Sequence, residues 1–163
     1  MNNHPKDTPG VIPPPLIYGC ALLIGLGLDW LWPYPVLPAP AQYWVGGIVI
    51  TLSGALIAVV LREFFRAKTT FGFHYPSRMR WKPGGSALIT SGPFRFSRNP
   101  ANVSLFMLYF GFGIVVDSVW ILALGVVAVL ITHYAVIPRE EVYLERKFGD
   151  EYRAYVAEVR RWL

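Results

Sequence analysis

The chain has 163 residues, of which 54% are hydrophobic and only 15% charged, with a formal net charge of +5. A soluble domain carries about 25% charged residues, and here the apolar residues come in long unbroken runs instead of stripes, which disfavours a soluble helical domain and points to a bilayer as solvent. The length fits one domain, and the lone Cys20 excludes an intramolecular disulfide.

In chain order, residues 1–14 form a polar, proline-containing tail with Lys6 and Asp7. No small-residue cleavage pattern follows the first apolar stretch, so a cleaved signal peptide is not expected. The first apolar run covers residues 15–32 and is broken only by Asp29; the second covers 41–61 and holds no charge. Pro33, Pro35, Pro38 and Pro40 separate them and force a turn. A helix of about 20 residues crosses the hydrocarbon core, and irregular backbone cannot do so unpaired. The spacing therefore predicts two spanning helices within residues 15–66.

Residues 67–99 form a long polar loop with a Pro83-Gly84-Gly85 turn, and loops of that length in small chains are usually functional. A third apolar run, 100–116, and a fourth, 118–137, are separated by only Asp117 and Ser118, which predicts a tight antiparallel hairpin over 100–137. Residues 138–163 read as a broken helical tail. Phe148-Gly149-Asp150 interrupts it, and Tyr152, Tyr155, Val156 and Val159 share one face. Such a tail lies along the membrane surface or folds over the loop. The fold class is all-α: a polytopic membrane protein of about four spans, with a hairpin and an interfacial tail.

Lysine and arginine set the expected orientation. Of the 15, only Lys6 precedes Arg62; the others flank or fill the long loop and the tail. By the positive-inside rule the N-terminus, loop and tail are cytoplasmic, as in a bacterial inner-membrane protein. The positive charge then serves topology and anionic headgroups, not nucleic acid.

The charged clusters at the span ends carry the candidate chemistry. Asn99 is a favoured N-cap and Pro100 suits a first helical turn. A helix start with Arg95 and Arg98 beside it can receive an anion; interface anchoring by snorkelling arginines and Phe94 or Phe96 is the alternative. Glu140 and Glu141 follow the fourth run. Their side chains diverge by about 100° on a helix, so one can face the bundle while the other meets water. A carboxylate at the apolar boundary needs a cation, donors or a ligand. Glu140 thus either pairs with Arg139 or a loop arginine, or binds ribose hydroxyls or a cofactor ammonium. Gly111 and Gly113 either allow close helix packing or open space for a cofactor. His133 is an interhelical donor or lines the site. His4 and His74 lack ligand spacing to any cysteine or carboxylate cluster, so no metal site is expected.

Taken together, the stretch Leu88-Ile89-Thr90-Ser91-Gly92-Pro93-Phe94-Arg95-Phe96-Ser97-Arg98-Asn99-Pro100, the hairpin, Arg139-Glu140-Glu141 and Phe148-Gly149-Asp150-Glu151-Tyr152 with Tyr155 carry a family signal in their order and spacing. From Thr69 to Leu163 the chain resembles the integral-membrane methyltransferases of the isoprenylcysteine carboxyl methyltransferase and phospholipid N-methyltransferase group. The resemblance implies S-adenosyl-L-methionine as cofactor, bound on the cytoplasmic side in a pocket lined by Leu88, Ile89, Phe94, Arg98, Asn99, Pro100, Glu140 and Glu141. It implies that Gly111 and Gly113 match the glycine pair of the phospholipid branch, and that Arg139 orients an anionic acceptor. The implied partners are a lipophilic or lipidated acceptor and membrane lipids. The chain departs from the family at Asn99, where His is usual, at Asn102, where Tyr is usual, and at Ser104, where Gly is usual. A sterol-reductase-like membrane enzyme using NADPH and a non-enzymatic scaffold are the alternatives.

Overall fold

The computed structural model describes residues 12–67 and 88–163. Among them every regular element is helical. The order is α1 (Pro14–Leu31), α2 (Ala41–Arg66), a 3-10 turn (Gly92–Arg95), α3 (Pro100–Val116), α4 (Val119–Ile131), a π turn (Thr132–Val136), α5 (Ile137–Phe148) and α6 (Asp150–Glu158). The N-terminal tail and most of the long loop, with its expected Pro83-Gly84-Gly85 turn, lie outside the described residues.

Among the described residues, three helices are long and apolar enough to cross a membrane: Pro14–Leu31, Ala41–Arg66 and the continuous Val119–Phe148. The helix Pro100–Val116 is apolar but has 17 residues. The outer faces of the long helices expose large apolar side chains, with Leu23 71% and Trp44 72% accessible. In water those faces would be costly; in lipid they are the expected surface.

The fourth apolar run ends ahead of Arg139, but the helix does not end with it. Proline removes one backbone donor and crowds the carbonyl four residues before it. The wider π turn over Thr132–Val136 comes just ahead of it, so α4 runs on into α5 as one rod. The charged Arg139–Glu141 segment is therefore held in fixed register with the apolar part of the rod.

Small residues let the helices approach. A Cβ added to Gly46 would lie 2.8 Å from the Gly111 carbonyl oxygen, and one on Gly111 would lie 2.8 Å from the Ile50 side chain. Together with the Ser53 hydroxyl donating to the Ser104 carbonyl at 2.7 Å, these contacts run α2 antiparallel to α3. Gly113 abuts Ile121 and Gly125 abuts Tyr109, which folds α4 back along α3. Gly25 of α1 meets Ile121 as well, and Tyr18, Tyr109, Ile121 and Ala128 form the buried core. The helices thus neighbour one another in the order α2, α3, α4, α1.

Asp117 closes the α3–α4 turn in the left-handed region, at φ 60°. Its Oδ1 accepts the backbone N–H groups of Val36 and Leu37 at 2.9 and 2.8 Å. The Trp120 indole donates to the Trp32 carbonyl at 2.7 Å. The proline-rich connection between α1 and α2 is thereby pinned to the hairpin turn.

Candidate functional site

At the opposite end of α3 the charged residues meet. Arg98 precedes the helix and Glu141 sits one turn into α5; their side chains form an ion pair at 2.9 Å and are only 13% and 18% exposed. That enclosure strengthens the attraction and makes an unpaired charge costly. Arg161 grips the same carboxylate in two places, Nε to Oε1 at 3.1 Å and the terminal nitrogen to Oε2 at 2.6 Å. Two guanidinium groups thus share one carboxylate, a bidentate geometry that arginine supplies and lysine does not.

The backbone follows the charges. Gly149, at φ 56°, breaks the helix after α5 and lets α6 turn back. The chain beyond α6 then crosses the start of α3 as a strap. The Arg98 amide donates to the Arg160 carbonyl at 2.9 Å. The Asn99 side-chain amide donates to the Arg161 carbonyl at 3.0 Å. The Trp162 indole donates to His133 Nδ1 at 3.0 Å and its ring lies edge-on to Phe106. Of the two expected courses, the tail takes one that packs against the described end of the loop, at residues 94–99. His133 of the π turn, expected as an interhelical donor, instead accepts from the strap, because Trp162 lies beyond the last helix.

Two tyrosines of α6 complete the packing. The Tyr155 hydroxyl donates to the Phe94 carbonyl at 2.6 Å. Burial pushes the Tyr155 phenol up to about 12, with Tyr152 adding to the effect and Arg98 opposing it. Burial also raises the Tyr152 phenol, with the Glu141 carboxylate adding to it and Arg98 and Arg161 opposing it. Both remain neutral hydrogen-bonding groups at neutral pH.

On the α2 side, Glu63 is 8% exposed, accepts from the Ser91 hydroxyl and pairs with Arg66 at 3.3 Å. The Phe94 ring stands edge-on to Phe64. The 3-10 turn that leads to Asn99 is therefore latched to α2 on one side and to α6 on the other.

The structure brings together Phe94, Arg98, Asn99, Pro100 and Glu141 from the residues singled out by sequence, with Glu140 adjacent to Glu141 on α5. Leu88 and Ile89 lie half-buried in the coil leading to Ser91. Asn99 occupies the N-cap position of α3, yet its side chain makes no cap bond and is spent on the strap instead. Gly111 and Gly113 stand apart from this cluster. They lie about 16 Å or more further along α3 by helical rise, against Ile50 of α2 and Ile121 of α4. Their contacts are those of the close-packing reading. Arg139 lies exposed on α5. Asn102 and Ser104 are buried, and the Ser104 hydroxyl turns back to the Ala101 carbonyl at 2.8 Å.

Sequence reasoning missed Arg161, Trp162 and Glu63. The only local signals are the basic-aromatic triplet Arg160-Arg161-Trp162 and the single acidic residue in α2.

A family model for phospholipid methyltransferases matches residues 41–151, more than half of the chain. The chain belongs to the phospholipid methyltransferase family. The expected kinship is borne out, and the match begins earlier than Thr69, at the start of α2. This phospholipid methyltransferase family chain also has a 41-residue stretch 58% identical to an uncharacterized protein of Haemophilus influenzae; the stretch covers 24% of this chain and 65% of that protein. The chain thus spans somewhat less than two thirds of that relative's length. No solved structure matches it. Within this chain, α1 and the strap lie outside the family-matched segment, while Arg98, Asn99, Glu140 and Glu141 lie inside it.

Proposed function

We propose that the chain transfers a methyl group from S-adenosylmethionine to a lipophilic acceptor, an isoprenylcysteine-like carboxylate or a phospholipid amine, at the cytoplasmic face of the membrane. The observation that carries this reading is the 2.9 Å contact between Arg98 and Glu141, which joins the start of α3 to the start of α5. In the proposed topology α3 is a fourth, shorter span of a single membrane domain, and the basic ends of the helices face the cytoplasm of a bacterial inner membrane.

The residues present suit the cofactor. S-adenosylmethionine carries a sulfonium, an ammonium, a carboxylate and a ribose diol. Glu140 forms no ion pair among the described residues, so its carboxylate can serve a cation or a hydroxyl pair. Arg98 Nε is buried without a hydrogen-bond partner among the described residues and can serve a carboxylate. Leu88, Ile89, Phe94 and Pro100 would supply the apolar walls. When bound, the cofactor supplies an electrophilic methyl group on sulfur.

The chain's own contribution is placement and exclusion of water, which strengthens electrostatics around a charged donor. A carboxylate acceptor is already anionic, and Arg139 would orient it. An amine acceptor must first lose its proton to a base or to water. In either case the polar donor reaches the site from water and the lipidic acceptor from between the helices.

The test is methylation in proteoliposomes with a methyl-labelled donor and a total lipid extract. Label in an organic-soluble product, identified by mass, is the expected result. Absence of label from folded protein, with NADPH binding in its place, would support a reductase instead.

A further inference from the structure

The adjacent glutamates look equivalent in sequence but are not equivalent in place. Both Glu141 oxygens are engaged: Oε1 by Arg98 and by Arg161 Nε, and Oε2 by the Arg161 terminal nitrogen. Glu140 enters no ion pair among the described residues. The strap that delivers Arg161 is held independently by four further bonds, from Arg98 to the Arg160 carbonyl, from Asn99 and the Ser97 hydroxyl to the Arg161 carbonyl, and from Trp162 to His133.

We propose that Arg161 is a positioning residue for the donor end of the site. Its guanidinium fixes Glu141 and through it Arg98, and its carbonyl fixes Asn99, leaving Glu140 as the carboxylate that meets the ligand. This deepens the methyl-donor reading and rests on it for the ligand. The division of labour follows from the chemistry. A carboxylate already satisfied by two guanidinium groups gains little from a ribose diol, because the new bonds replace stronger charge-assisted ones. Arg98, by contrast, is oriented by the pair while its buried Nε stays unspent. Arg161 lies beyond residues 41–151, so this device is added to the family-matched segment from outside it.

The proposal separates four substitutions by two readouts in the full-length protein in detergent. The readouts are hydrogen exchange of the segment 94–99 and calorimetric binding of S-adenosylhomocysteine. Arg161→Ala and Glu141→Gln are expected to speed exchange of that segment at least tenfold, with α2 and α4 still protected, and to weaken binding. Arg161→Lys recovers part of the protection, since it keeps the charge but loses the fork. Glu140→Gln weakens binding while leaving exchange of 94–99 as in the wild type. Unchanged exchange in Arg161→Ala, or equal loosening by Glu140→Gln and Glu141→Gln, overturns the assignment. If the wild type binds no S-adenosylhomocysteine, the methyl-donor reading fails, and the exchange arm alone decides whether Arg161 positions the start of α3.

Discussion

A carboxylate closes each end of helix α3, and the two are satisfied by different means. Asp117 takes two backbone N–H groups from the connection between α1 and α2. Glu141 takes two guanidinium groups. Around Asp117 the helices meet at backbone contact through Gly46 and Gly111. Around Glu141 a second carboxylate and an unpartnered Arg98 Nε remain. The first end is a finished joint. Among the described residues the second holds more polar groups than its own bonds consume, which is why the ligand is proposed there.

The comparison breaks most readily at Asp117. Replacing it with Ala removes the acceptor of two N–H groups, and bonds to charged groups are each worth about 1.5–3 kcal/mol. A loss of about 3 kcal/mol is expected in denaturant unfolding in detergent, with the proline-rich connection gaining exchange. Next comes packing at the same end. Gly46→Ala would press a methyl to 2.8 Å from the Gly111 carbonyl, and overpacking costs about 1–3 kcal/mol; the thermal midpoint should fall, and a neutral result would mean that α2 and α3 are not in tight contact.

At the Glu141 end a smaller effect sharpens the contrast. Tyr155→Phe removes the bond to the Phe94 carbonyl, worth about 1 kcal/mol. Because the folded phenol is raised to about 12, its contribution is complete below the ordinary phenol value of 10.0 and fades as pH rises from there toward 12. Wild-type stability should therefore decline across that alkaline window, and Tyr155→Phe should decline less. An identical slope in both proteins would remove Tyr155 from the account.

The apolar runs, the hairpin turn residues and the break at Gly149 could be read from the chain because each is a local property of period, charge or backbone freedom. Other features were not local. The π turn ahead of Pro138 lets α4 and the tail helix join as one rod, and nothing in the composition of Thr132–Val136 announces that turn. Asn99 reads as a cap, but its side chain answers a carbonyl that only the folded-back strap delivers. Glu141 invited a ligand because its arginine partners come from separate elements, one before α3 and one beyond α6. The twin glutamates were legible as candidates; which one is spent on arginines required tertiary structure.

We propose that Glu140 and Arg98 receive the methyl donor's polar groups at this end of α3. Calorimetric titration of S-adenosylhomocysteine into the folded wild type and Glu140→Gln tests it directly. Saturable wild-type binding is expected, with at least about tenfold weaker binding by the variant, a difference of about 1.4 kcal/mol. Equal affinity in the two proteins, or no binding by folded wild type, would contradict it.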